Sequence, residues 1–345
     1  MPRMILTGDL NLMNVTDAEV PLGRVRAELR EADIVFGNLE CCLHAPPEGH
    51  VTKHEGFFVA PEIGGRVLVS AGVAAVGVAN NVNFGAGAIL SSLAHLDRLG
   101  IAHTGAGRNR DAAYRPAIVE RRGVRYGFLQ RSSVYWPTNH EAIGDAPGIA
   151  VIRGHTAYHV PTERLRPGMP PMNRPGVPPE ILTWADPRSL RAFIEDIASL
   201  RAAADVVIAS CHWGLGKEVL AYMSEIAHAA IEAGADAVVG HGPHFALPVE
   251  VHRGKPIFYG LGSFSFHTGH LGRRHGDWLG MMASLAIEEA RIAGASFRLV
   301  RHNERNETLL APLADVAEGL AEIMDASARL GTRLTVAGDE VTVAL

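Results

Sequence analysis

Three cysteines, no excess of basic charge and no long apolar run mark what this 345-residue chain does without. Cys41 and Cys42 are neighbours and Cys211 stands alone. A disulfide framework is therefore not expected, and a reducing compartment is. Lys plus Arg number 32 against 37 Asp plus Glu, a net charge of −5. That balance argues against a nucleic-acid binder working through a general basic face. Nowhere do about 18 apolar residues run together, so no integral membrane segment is expected. The run Met4-Ile5-Leu6 is too short for a signal-peptide core, which makes the cytoplasm the expected location. Internal repeats are absent too.

What is present is ordinary globular usage, 47% apolar and 20% charged, enough for a soluble core. The unusual count is 17 histidines, several beside Gly or Pro rather than on helix faces. Short apolar runs alternate with helical patterns, which reads as α/β. Strands are expected at 4–6, 34–36, 74–78, 124–129, 206–208, 237–239, 247–251 and 256–261. Helices are expected at 22–29, 61–71, 86–99, 190–203 and 219–233. Residues 1–345 are read as a single domain. Residues 132–187 form a Pro-rich insertion with few periodic stretches, read as a functional insertion folded against the body or over a site, or equally as a flexible linker. Two more strands are expected near 284–287 and 297–300. Residues 305–345 form an extension, a helix over 311–330 followed by a hairpin turning at Gly338-Asp339. The Leu313, Val316, Leu320 and Ile323 spacing suits a core face or a dimer surface equally.

The chemistry lies in the polar residues that end each apolar run. Ile5-Leu6-Thr7-Gly8 leads to Asp9, and Ile34-Val35-Phe36-Gly37 to Asn38-Leu39-Glu40. Val76-Gly77-Val78-Ala79 leads to Asn80-Asn81, and Val207-Ile208-Ala209-Ser210-Cys211 to His212. Val238-Val239-Gly240 leads to His241, with His244 beyond Gly242, and the 257–262 run leads to Ser263. In open α/β sheets ligands bind outside the carboxyl ends of strands. Six such ends would converge on one site. Their oxygen and imidazole donors suit Zn, Mn or Fe, and two carboxylates with three histidines suffice for a two-metal centre. Taken singly, Gly-Asp is an ordinary turn, Asn80-Asn81 an ordinary loop, and His212 a possible core histidine. Two histidines in the Gly240–His244 turn rarely serve packing. Shared order and placement make the set stronger than its parts.

These residues resemble the CapA-like capsule and poly-γ-glutamate biosynthesis family, a branch of the calcineurin-like metallophosphoesterase fold. The matching segments are GDLNL at 8–12, NLE at 38–40, ANN at 79–81, TGAG at 104–107, CHWG at 211–214, GADAVVGHGPH at 234–244 and YGLGSFSF at 259–266. The resemblance implies a layered α/β sandwich with a binuclear site at the C-terminal ends of the strands. Asp9, Glu40 and His244 would hold one divalent ion (Mn, Fe or Zn). Glu40, Asn81, His212 and His241 would hold the other, with Glu40 bridging. Asp9, His212 and His244 would also be catalytic. Asn38, Asn80, Ser263, His267, Arg273 and Arg274 would face an anionic small-molecule or polymer substrate. Paired arginines suit phosphate or carboxylate, although 267–278 could equally be a solvated basic loop. Tyr135, Trp136 and His140 would line a substrate pocket or pin the insertion to the core.

Four positions depart from the family pattern. Asn11 stands where the wider fold has a histidine ligand, and Ser263 where the family has asparagine. Val82 replaces the histidine that serves as general acid, and Gly85 the aspartate that orients it. Valine cannot move a proton, and acid–base catalysis is worth roughly 10²–10⁴ in rate. Three readings stay open: a metal-dependent hydrolase or transferase, a metal-independent acid–base enzyme such as a peptide epimerase, and a non-catalytic binding or assembly protein.

Overall fold

The computed structural model describes residues 2–45, 57–160, 175–266 and 278–345. Two sheets stack face to face and carry helices on their outer faces. In the first sheet, Arg3–Asn11, Ile34–Leu39, Ala75–Gly77 and Ala102–Thr104 run parallel in that order. On the other side of Arg3–Asn11 follow the antiparallel strands Gly280–Glu288, Arg291–His302, Glu340–Val343 and Leu334–Ala337; the short strand Ser263–Phe266 pairs in parallel with the end of Arg3–Asn11, and Thr308–Leu310 pairs with Arg291–His302. The second sheet centres on the parallel strands Val124–Ser132, Val206–His212, Ala237–His241 and Lys255–Phe258. Antiparallel Ala117–Arg121 and Val249–His252 form its edges.

Strand alternation assigns the layers. Met4, Leu6, Ile34 and Phe36 face inward and meet Phe128, Val206, Ile208 and Val239 of the opposite sheet. Phe36 and Phe128 stack with centroids 4.7 Å apart and planes 5° off parallel. The intervening residues Ile5, Val35 and Val76 face outward and pack on helices Pro61–Ser70 and Ala86–Leu99. Val207, Ala209 and Val238 do the same against Pro187–Ala203 and Ala221–Ala233. Helix Pro187–Ala203 starts where expected of its caps: Asp186 accepts from the Ser189 N–H and Pro187 takes the first turn. It buries Phe193, Ile197 and Leu200 on one stripe.

Three expectations change. The helix expected at 22–29 is shorter and later, Arg26–Arg30; the residues before it form turns in which Leu22 and Val25 are nevertheless buried. The 311–330 helix opens as a 3₁₀ turn, Leu313–Val316, and continues as Ala317–Arg329. Its Leu313, Leu320 and Ile323 are buried in the inter-sheet core. The 132–187 stretch is not structureless where it is described. Gly154–His159 pairs with Glu180–Ala185 as an antiparallel ribbon. That ribbon is tied to helix Ala221–Ala233 through Ala185 N–H to Glu225 and Tyr222 N–H to Thr183.

All three cysteines are free and buried. Burial pushes the thiols up, that of Cys42 to about 12, so none serves as a nucleophile. No helix among the described residues is long and apolar enough to cross a membrane.

Candidate functional site

A break in strand register makes the site possible. The first strand shifts against both parallel neighbours around Gly8 and Asp9. A bulge of this kind re-aims the side chain beside it. The Asp9 N–H is held by the Gly262 carbonyl at 2.8 Å. A Cβ on Gly8 would lie 2.0 Å from that same oxygen, so only glycine lets the backbones approach.

Asp9 is fully buried, and its carboxylate is surrounded by donors and imidazoles. Asn38 donates to Oδ1 at 2.9 Å and the Gly242 N–H to Oδ2 at 3.3 Å. His241 Nδ1 lies 3.5 Å from Oδ1, and His244 Nδ1 lies 3.3 Å from Oδ2. His244 Nδ1 is also 3.8 Å from Glu40 Oε2. Ligand atoms of Asp9, Glu40 and His244 all fall within 4.8 Å of one another. On the far side His212 Nε2 meets Asn81 Oδ1 at 2.8 Å. His212 and His241 are register partners on adjacent strands. His244 itself adopts φ +66°, a left-handed conformation uncommon for a non-glycine residue and often found at functional positions.

Electrostatics separates the two carboxylates. Burial alone would raise Asp9, but the imidazoles of His241 and His244 outweigh it and hold the carboxyl far below its usual range. Glu40 is pushed well up, first by burial and then by the Asp9 charge. Burial holds His212 down at about 3, so its ring is neutral at ordinary pH. Opposite shifts on neighbouring carboxyl groups are a mark of functional sites.

Fit to a cation can be tested on the donors. Glu40 Oε2 and both ring nitrogens of His241 are buried without a hydrogen-bond partner. Such groups are costly unless something satisfies them. Carboxylates with neutral imidazoles are the donor set of Zn, Mn and Fe. The residues present therefore fit a divalent ion.

The expected substrate residues fall differently. Asn38 and Asn80 are fully buried. Asn38 Oδ1 accepts from Asn80 at 3.0 Å and from Gln130 at 3.1 Å. Asn80 also donates to the Leu39 carbonyl and accepts from the Asn83 N–H. Asn38 thus holds the Asp9 carboxylate, and Asn80 holds Asn38 and the Asn83 loop; each polar side-chain atom of the two is already engaged within the protein. Ser263 is buried beside Asp9 in register, its hydroxyl unpartnered. His267, Arg273 and Arg274 lie outside the described residues. Val82 is buried in the outer apolar layer. Trp136 donates to the Asn81 carbonyl at 2.8 Å, and His140 Nε2 lies 3.0 Å from the Asn83 carbonyl. With Tyr135 packed on the core, this segment pins the insertion over the Asn81–Asn83 loop.

Gln130 is a site residue that the sequence candidates do not include. Its amide accepts from the Ala79 N–H at 2.6 Å and donates to Asn38 and to Ser210. It thereby ties both sheets together behind the site. Its signal is the same as the others: a polar residue ending the apolar run 124–129. Trp278 stacks on His244 at 5.5 Å and 21°, and Phe266 meets it edge-on at 4.8 Å.

Four layers with carboxylates and imidazoles gathered where parallel strands end define an α/β protein of the metallophosphoesterase-like class. A family model described as "Bacterial capsule synthesis protein PGA_cap" matches residues 3–268, and the chain belongs to that family. It is 26% identical over 278 residues to an uncharacterized protein of Sinorhizobium fredii, covering 69% of this chain and 60% of that one. It is 31% identical over 192 residues to a "Probable polyglutamine synthesis accessory protein" of Mycobacterium tuberculosis, covering 54% and 43%. With the PGA biosynthesis protein CapA of Bacillus subtilis it shares 40% over 99 residues, covering 28% and 24%. The chain thus spans 60% or less of the length of these relatives.

Proposed function

We propose that this protein is a divalent-metal-dependent hydrolase or transferase acting on an anionic substrate of the capsule or polyglutamate kind. The observation that carries the reading is the buried Asp9, Glu40 and His244 cluster, with Glu40 Oε2 and the His241 nitrogens left unsatisfied. Asp9, Glu40 and His244 would hold one ion, and Glu40, Asn81, His212 and His241 a second. Bound divalent ions supply an activated water and polarise the electrophile.

The chain's own residues set up that chemistry. Asn38 and the Gly242 N–H fix the Asp9 carboxylate, which stays ionised. His212 stays neutral and so keeps a lone pair to donate. The networks of Asn80 and Gln130 lock Asn38 from behind, the outer-shell support that ligands need. Asn81 and His244 are the most accessible members and mark the approach to the centre. With Val82 in place of an acid, a leaving group already stable as an anion suits this site best.

The test is metal content of protein purified without chelator or histidine tag. About two equivalents of Mn, Fe or Zn per chain are expected, falling in Asp9→Asn and in His241→Ala. Folded protein that holds no metal and takes none up would sink the reading. The 3.3 Å approach of His244 to Asp9 favours one alternative, a metal-free acid–base pair; that pair requires activity that survives chelation.

A further inference from the structure

A second group of metal-type donors lies on the outer side of the second sheet. His228 sits on helix Ala221–Ala233, and Glu250 and His252 on the edge strand Val249–His252. Their ligand atoms all fall within 4.8 Å of one another. His228 Nε2 is 2.8 Å from Glu250 Oε1, and the rings of His228 and His252 stack 4.0 Å apart at 9°. Spacing explains the convergence. Glu250 and His252, two apart on a strand, share a face. His228 and Glu232, four apart on a helix, share one too. Glu232 Oε1 lies 3.2 Å from His252 Nε2 and also pairs with Arg253 at 2.8 Å.

We propose that His228, Glu250 and His252 form a second site for a divalent transition-metal ion of the zinc class, separate from the Asp9 centre. Zinc holds imidazole and carboxylate donors at about 2.0–2.2 Å, so two donors on one ion lie at most about 4.4 Å apart. The cluster needs only a small contraction to reach that span. Two imidazole nitrogens and one carboxylate oxygen, with a water from solvent in the fourth position, make an acceptable tetrahedral set. Half-exposed side chains, 35% for His228 and 23% for His252, leave the site open to ions from solvent.

The supporting shell is already built. Glu250 is mostly buried, and its other oxygen accepts the Tyr259 hydroxyl at 2.5 Å. A carboxylate ligand oriented by a buried hydroxyl is the pattern that tunes metal sites. An ion here would clip the edge strand to the helix covering the sheet.

The experiment is Zn²⁺ equilibrium dialysis of the full, metal-stripped chain. Wild type should retain one equivalent more than His252→Ala, and also one more than His228→Ala; both substitutions are at the surface and outside the Asp9 centre. Tyr259→Phe should keep that equivalent with affinity about 10–100-fold weaker. Equal stoichiometry and affinity in wild type and in both histidine variants would overturn the proposal. Because the readout is a difference, it holds whether or not the Asp9 centre binds metal.

Discussion

His140 should make the protein acid-sensitive in a calculable way. The ring is 1% exposed. Its Nδ1 accepts the Trp136 N–H at 3.1 Å and its Nε2 faces the Asn83 carbonyl at 3.0 Å. A second ring proton would point at the Trp136 N–H, donor against donor. Burial accordingly pushes the imidazole down to about 4, the Asn83 carbonyl opposing only in part. Unfolded, the ring titrates near about 6.5. Between these values the unfolded chain binds the proton and the folded one does not, so stability rises with pH across the window. The contribution is complete above about pH 6.5 and is lost as pH falls toward about 4. Complete loss amounts to about 3 kcal/mol, of which about 2 kcal/mol is gone at about pH 5. Urea unfolding of chelated wild type and His140→Gln at about pH 8 and about pH 5 reads the effect. Histidines common to both cancel in the comparison. The wild type should lose about 2 kcal/mol more than the variant. Equal losses would refute the argument that this ring is held neutral by its surroundings.

Two other substitutions probe the site from behind and from the side. Gly77→Ala would place a Cβ 2.4–2.5 Å from three atoms of the Gln130 amide. It should destabilise by about 1–3 kcal/mol and weaken metal retention about 10–100-fold by shifting Asn38, read by urea unfolding and by metal content; unchanged retention would release Gln130 from its positioning role. Val82→His should raise phosphodiester hydrolysis by the metal-loaded protein up to about 10²-fold. The gain should be larger for alkyl than for nitrophenyl leaving groups, and no gain in a folded variant would show that the missing acid is not the limiting defect.

The strand ends are legible in the sequence because an α/β strand is a short apolar run, and its first polar residue lies at the sheet's C-terminal edge. That is why Asp9, Glu40, His241 and His244 can be grouped from the sequence alone. The network behind them is not legible. Gln130, Asn38 and Asn80 meet across gaps of 92 and 42 residues, distances that no local pattern encodes. The ribbon Gly154–His159 with Glu180–Ala185 is hidden for another reason. Tyr158, Ile181 and Trp184 are all exposed, so apolar residues do not mark the ribbon's inner face. The 22–29 segment misleads because Leu22, Val25 and Leu29 are buried at helical spacing although only the last lies in a helix.

The hold of Gly262 on Asp9 has a consequence for synthesis. The strand that flanks the first strand's bulge, Ser263–Phe266, is made long after Asp9 itself. Gly242, which also binds the Asp9 carboxylate, lies 233 residues further along the chain. At translation rates of about 5–20 residues per second, Asp9 spends about 10–50 s without those partners. A nascent chain therefore cannot assemble the cluster around Asp9 until residues more than two hundred positions further on have been made, and on the proposed reading an ion could be held there only after that point.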